Sequence, residues 1–353
     1  MRILHVITVA DLGGAQSVAS ELARRSVERG DQVGFASSAE GPLWAELDPR
    51  VERFPIGSLA KALSPKSDLD AYLGIRKAIR AFGPDIVHLH SSKAGVLGRI
   101  GAGRLRPRVV YTVHGFDTIL KAHRVFLPLE RALQGACGAV VAVSDYDRAN
   151  LEASGIRRKL RLVRNGVRDW RGVEPPEGRA AAAMRRSRAE GRPRVLCVAR
   201  MAAPKRFDLF RDVAARLVEA DFFWIGNESP VEGPLPPNLA LLGSQPAAGA
   251  YHNLAEVSVL FSDYEGLPMS VLEALSCGNP VVASRVGGVA EALDGEDGEA
   301  VENDADAAAE AVAAFLPGSP RAAAARAAAR RRYEADFSIE AMAAGYAAVY
   351  SSL

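Results

Sequence analysis

Short apolar runs alternate with helix-period segments along nearly the whole chain, and this alternation restricts the fold more than any other feature. Runs at 3–9, 32–36, 86–90, 109–113 and 139–143 are strand-length, and helical patterns at 15–28 and 69–82 lie among them. A second series starts at 195–199 and continues through 222–225, 239–242, 257–261 and 281–284. Strands that alternate with helices are joined by crossovers, so they assemble into parallel sheets with helices on both faces. A chain of 353 residues usually makes two domains, each large enough for its own core. The expected fold is therefore α/β with two Rossmann-like parallel-sheet domains, over 1–168 and 191–338. The stretch 169–190, rich in Gly, Pro, Ala and Arg, is expected to be a linker with a variable first helix.

Composition narrows the class. With 48% hydrophobic and 24% charged residues, the chain reads as a soluble globular protein. No apolar run approaches the roughly 18 residues that span a bilayer, and the first ten residues read as a buried strand rather than a signal peptide. Cys137, Cys197 and Cys277 are scattered and odd in number, which suits reduced packing residues in a cytoplasmic protein. The net charge of +2 hides an asymmetry: residues 1–168 carry +10 and the remainder −8. A basic half attracts phosphate-bearing acceptors or an anionic membrane leaflet. Nucleic acid is not expected, because no helix-turn-helix, zinc or RNA-binding signature accompanies the charge.

The chemistry concentrates in residues 262–280. Glu265 and Glu273 stand eight apart, Pro268 suits a helix start, and Cys277-Gly278 with Pro280 suits its end. Eight helical residues rise about 12 Å, so the two carboxylates can flank one bound group. The N–H groups of the stretch Gly266–Ser270 and the helix dipole offer a cradle for phosphate, with Leu267 and Pro268 inside it. A phosphate between two hydroxyl acceptors describes a nucleotide-sugar; the plain alternative is two solvated glutamates on a capped helix. Upstream, Arg200 and Lys205 follow the carboxyl end of a strand, where open α/β sheets bind ligands. A forked guanidinium and a point-charge ammonium suit a diphosphate. A metal is not expected, since no His, Cys or carboxylate cluster has ligand spacing.

The ordered set resembles the family-4 retaining glycosyltransferases of the GT-B fold. The motifs are Gly13-Gly14-Ala15-Gln16, the run from Val87 through His88, His90, Ser91 and Lys93 to Gly95, and Thr112-Val113-His114-Gly115. Val143-Ser144, Asn165-Gly166-Val167, Arg200 with Lys205, and Glu265-x7-Glu273 with Gly278-x-Pro280-Val281-Val282 follow in the same order. The resemblance implies an active site in a cleft between the domains and a last helix, about 339–353, that crosses back to the first domain. It also implies that Glu265 binds hydroxyls of the donor hexose, Glu273 the ribose, and Arg200 and Lys205 the diphosphate. Gly14 would lie against the donor, Gly243 would meet the base through backbone, and His114 would sit beside the transferring sugar. Gly13, Gln16, His90, Ser91 and Lys93 would form the acceptor pocket, with His90 at its mouth and His88 packed inside.

The expected activity is thus retaining, metal-independent transfer of a hexosyl or acetamido-hexosyl unit. The donor is a nucleotide diphosphate-sugar, a UDP-sugar foremost, and no other cofactor is expected. The acceptor is a glycan hydroxyl, on a polyprenyl-diphosphate-linked or surface-polysaccharide precursor. The protein would act in the cytoplasm or peripherally on the inner membrane face. The competing readings are a GT-B epimerase or phosphorylase and a non-catalytic nucleotide-sugar-binding subunit. Two departures from the pattern stand out: Gln16-Ser17 in the first loop, and Ile225-Gly226-Asn227-Glu228, which lacks a second glycine.

Overall fold

The computed structural model describes residues 1–122, 124–228, 231 and 233–353. They form two compact units, Met1–Asn165 with Ile339–Leu353, and Gly166–Ser338. In the first unit the strands are β1 (Arg2–Val6), β2 (Gln32–Ser37), β3 (Glu52–Pro55), β4 (Ile86–Leu89), β5 (Val109–Val113), β6 (Ala139–Ala142) and β7 (Leu160–Leu162). Their order is β3-β2-β1-β4-β5-β6-β7, with every pairing parallel. The second unit holds β8 (Arg194–Val198), β9 (Asp221–Ile225), β10 (Leu239–Leu241), β11 (Val257–Leu260), β12 (Val281–Ser284) and β13 (Gly298–Val301). Its order is β10-β9-β8-β11-β12-β13, again all parallel.

Both sheets have helices on their faces, which explains why central strands such as β4 and β6 are buried at every position. The helix Gly14–Glu28 buries Val18, Ala19, Leu22, Ala23 and Val27, one stripe at helical spacing. Pro65 opens the helix Pro65–Phe82, and Gly83 closes it with φ +60°, a value that favours glycine. The three cysteines are free and buried.

Strand order reverses between β1 and β4 and between β8 and β11. In open α/β sheets the crevice past the strand ends at such a reversal is where ligands bind. The loops after β8 and β11 are the ones that carry Lys205 and Glu265.

The last helix, Ile339–Ser351, belongs to the first unit. Tyr350 Oη lies 2.7 Å from His88 Nδ1, Tyr346 Oη lies 3.0 Å from Thr112 Oγ1, and Glu340 pairs with Arg25. The units part at Asn165/Gly166 rather than at 168, and residues 169–190 are no free linker. Trp170 is buried against Ala250 and Cys277, and Gly172 N–H donates to Asn253 Oδ1 at 3.1 Å. The helix Arg179–Ala189 sinks Ala180, Ala181 and Met184 into a core with Leu196, Phe223 and Ile225. Alanine is apolar enough to pack closely yet leaves little signal in an Arg-rich segment.

Candidate active site

Main-chain bonds sew the two loops of the second reversal together. Arg206 N–H donates to Phe261 O at 2.9 Å, and Asp263 N–H to Pro204 O at 2.9 Å. This brings the Lys205 ammonium onto the Glu265 carboxylate as an ion pair, 18% and 12% exposed. Ser262, itself buried, donates its hydroxyl to the same carboxylate at 2.6 Å. Both bonds fall on Oε1, so Oε2 has no partner among the described residues. Ser262 is held in turn: its N–H donates to Ser284 Oγ at 2.9 Å, and Asn303 Nδ2 donates to its carbonyl at 3.0 Å. Arg200 lies exposed at the start of the β8 loop.

Glycines set the backbone around this pair. A Cβ on Gly287, where φ is +56°, would stand 1.7 Å from Glu265 O. Gly288 N–H donates to Gly266 O at 2.8 Å, so the glycine loop after β12 rests directly on Glu265-Gly266. Pro268 precedes the helix Met269–Ser276 as its extended N-cap and has no N–H to offer. The first-turn N–H groups of Met269 and Ser270 have no partner inside the helix. Leu267 is buried beneath the loop, and Glu273 sits in the helix, partly buried.

A Cβ on Gly226, at φ +111°, would meet Ala199 O at 2.3 Å, so only glycine lets β9 approach the Arg200 loop. Gly226 N–H donates to Gly243 O at 2.9 Å, and Gly243 N–H donates to Asn227 Oδ1 at 2.8 Å. Asn227 therefore ties the β9 and β10 loops together. Gly243 thus has both its N–H and its carbonyl engaged within the unit.

In the first unit, Gly13 is the extended N-cap of the helix Gly14–Glu28, and Gly14 is exposed. Gln16 donates Nε2–H to Val9 O at 3.2 Å, which braces the loop rather than projecting from it. His114 is half-buried just past β5, and burial holds it at about 4, neutral through the physiological range. His90 corrects the expectation of a residue at a pocket mouth. It is fully buried, with ring nitrogens 2.9 Å from His5 Nδ1 and 3.2 Å from His114 Nε2. Ser91 and Lys93 are half-buried and have partners within the unit. The Ser91 hydroxyl lies 2.6 Å from Thr8 Oγ1 and accepts from Thr8 N–H at 3.0 Å. Lys93 pairs with Asp68 at 2.6 Å and donates to Ala62 O.

Sequence reasoning missed Ser262 and Gly287 as parts of this site. Ser262 lay in the same run as Glu265, and its position three residues earlier was the available signal. Gly287 was visible as one of a glycine pair before a helix, but nothing local said that Glu265 would lie against it.

Two units, each with a doubly wound parallel sheet, are the architecture of the GT-B fold, and known proteins bear this out. Residues 12–171 match the model for Glycosyltransferase Family 4, and residues 192–317 match that for Glycosyl transferases group 1. The chain belongs to the family-4 and group-1 glycosyltransferases. It is 27% identical over 312 residues to the UDP-Gal:alpha-D-GlcNAc-diphosphoundecaprenol alpha-1,3-galactosyltransferase of Escherichia coli, covering 82% of this chain and 80% of that one. It is 28% identical over 364 residues to the D-inositol 3-phosphate glycosyltransferase of Thermomonospora curvata, covering 88% and 84%. The solved structure of Anabaena HepE in complex with UDP-glucose superposes with a TM-score of 0.82 at 18% identity, over 100% of both chains.

Proposed function

We propose that this glycosyltransferase moves a hexosyl or acetamido-hexosyl unit, with retention, from a nucleotide diphosphate-sugar to a hydroxyl of a lipid-linked or surface-polysaccharide precursor. The observation that carries the reading is the Lys205–Glu265 pair with its open Oε2. Lys205 has three N–H donors, so two remain for phosphate oxygens while the third stays on Glu265. A cation for the diphosphate and an acceptor for a sugar hydroxyl are thus adjacent, as they must be where the anomeric carbon meets phosphate. Arg200 supplies the second cation, and the N–H groups of Gly266, Met269 and Ser270 meet the remaining phosphate oxygens. Glu273 binds the ribose. A UDP-sugar is the favoured donor, since the E. coli relative is named for UDP-Gal and HepE holds UDP-glucose. The first of those names, with its diphosphoundecaprenol, supports a polyprenyl-linked acceptor.

Retention follows if the acceptor hydroxyl attacks from the face the phosphate leaves. The new bond joins acceptor oxygen to the anomeric carbon, the carbon–phosphate-oxygen bond breaks, and the acceptor proton passes to the departing phosphate. The cations and amides stabilise that charge, so this mechanism requires no metal. Gly13, Gly14 and His114, at the carboxyl edge of the first sheet, contact donor sugar and acceptor. Peripheral membrane association rests on the helix Pro65–Phe82, whose exposed Leu69 and Leu73 stand among Lys66, Lys77 and Arg80. No helix among the described residues is long and apolar enough to cross a membrane.

Incubation with a panel of nucleotide-sugars and extracted lipid-linked glycans, read by mass spectrometry and by anomeric coupling in NMR, tests the proposal. The expected product has the donor's anomeric configuration. An inverted product, or epimerised nucleotide-sugar formed without acceptor, would refute it.

A further inference from the structure

Four histidines crowd the reversal point of the first sheet. His5 and His88 are direct partners across β1 and β4, and His90 follows on the same face two residues on. The rings of His88 and His90 lie 3.8 Å apart, and those of His90 and His114 are stacked at 5.5 Å. His88 stands aside, with Nδ1 2.7 Å from Tyr350 Oη and Nε2 2.8 Å from Thr112 Oγ1. The other three form a column: His114 Nε2 to His90 Nδ1 at 3.2 Å, then His90 Nε2 to His5 Nδ1 at 2.9 Å. The inner end, His5 Nε2, is buried without a partner among the described residues. The outer end, His114 Nδ1, makes no hydrogen bond among the described residues.

One nitrogen each of His5, His88 and His90 comes within 4.8 Å of the others, a spacing that can suggest a cation. The hydrogen bonds argue against it. Both His88 nitrogens are engaged by hydroxyls, and His5 and His90 aim at each other, so three lone pairs do not converge on one point.

Proton counting gives the column a direction. A neutral imidazole has one N–H and one lone pair, so His90 can donate to only one neighbour and must accept from the other. If the bonds run inward, His5 is left with a buried N–H and no acceptor. If they run outward, His5 Nδ1–H donates to His90, His90 Nδ1–H donates to His114 Nε2, and only a lone pair is buried at His5. Orphaned buried N–H groups are rarer than under-satisfied acceptors, which favours the outward run. Burial keeps the rings neutral: His5 is pushed down to about 3 and His114 to about 4, and His90 falls well below its usual value.

We propose that His90 and His5 are positioning residues that lock His114 as its Nδ1–H tautomer, so that His114 offers a sugar oxygen an N–H donor and no lone pair. This rests on the reading of His114 as a residue beside the transferring sugar. It deepens that reading, because a His114 without a free lone pair cannot take the acceptor proton, which must then go to phosphate.

Long-range nitrogen–proton correlation spectra of the full-length 15N-labelled protein at pH 7 test the column without any variant. The expected pattern for His114 is a protonated Nδ1 and an unprotonated Nε2. An Nε2–H tautomer or an imidazolium at His114 would overturn the proposal. Two variants separate positioning from packing. His90→Asn keeps an amide N–H near the place of Nδ1–H and should keep the His114 tautomer, with turnover within about twofold of wild type. His90→Leu should release His114 into mixed tautomers and lower kcat by about tenfold at unchanged KM, the effect of one lost hydrogen bond. Equal behaviour of the two variants would contradict the positioning role. Saturation with UDP-hexose then isolates the other premise. The expected tautomer whose His114 signals ignore the ligand would support the column and remove the sugar from it.

Discussion

The Lys205 ammonium and the Glu265 carboxylate are an ion pair at the strand-order reversal of the second sheet, and Ser262 Oγ shares the same carboxylate oxygen at 2.6 Å. In the binding mode proposed, the pair has opposite consequences for the two halves of a nucleotide-sugar: Lys205 would attract the diphosphate, while the charge of Glu265 would repel it and serve only the sugar.

Glu265→Gln separates these effects. The substitution keeps an oxygen for a hydroxyl but removes the charge and loosens the hold on Lys205. Calorimetry should show nucleoside-diphosphate affinity unchanged or tighter, while turnover of the nucleotide-sugar falls by roughly 10- to 100-fold. A parallel loss of both would mean that Glu265 only maintains the loop.

Gly287→Ala addresses the scaffold. A Cβ there meets Glu265 O at 1.7 Å, and φ of +56° is strained for alanine. The backbone of Glu265 must move. We expect a loss of about 1–3 kcal/mol in denaturant unfolding, with transfer abolished in the protein that remains folded. Full activity would show that the glycine loop does not set the carboxylate.

Activity should survive a chelator. The diphosphate charge is met by Arg200, Lys205 and main-chain N–H groups in the mechanism proposed, so EDTA should leave the initial rate within about twofold. Loss restored only by a divalent ion would contradict the metal-independent route.

Mild acid should weaken the fold. Burial lowers His5 to about 3, His114 to about 4 and His252 to about 3, and pushes His88 and His90 well below the ordinary value. The unfolded chain binds these protons near 6.5 while the folded chain does not, so stability falls as pH drops below 6.5. The slope is about 1.4 kcal/mol per pH unit for each histidine, until its own folded value is reached. Melting temperature should therefore drop steadily from pH 6.5 to 5, and His5→Phe should flatten the slope. An unchanged slope would show that His5 is not neutral in the fold.

Much of this architecture could be read from the residues, for physical reasons that differ by element. Buried parallel strands such as Ile86–Leu89 need continuous apolar runs, and turn glycines such as Gly83 leave plain signals. That Arg200 and Lys205 follow β8 and Glu265 follows β11 was legible, because the order strand, loop, helix is written locally in the sequence. The packing of His90, Ser91 and Lys93 was not, since alternation tells which face a side chain takes, not what it meets there. Their partners, His5, Thr8 and Asp68, are 85, 83 and 25 positions away. The role of Asn227 was equally hidden: its bond to Gly243 spans 16 positions and exists only once β9 and β10 are paired.

The central claim is that Lys205 holds the diphosphate of a nucleotide-sugar. Its most direct test is calorimetric titration of wild type and Lys205→Ala, in the presence of EDTA, with whichever of UDP, GDP and ADP the wild type binds most tightly. The account predicts a dissociation constant at least about tenfold weaker in the variant, or ~1.4 kcal/mol. Equal affinities in a folded variant would contradict it.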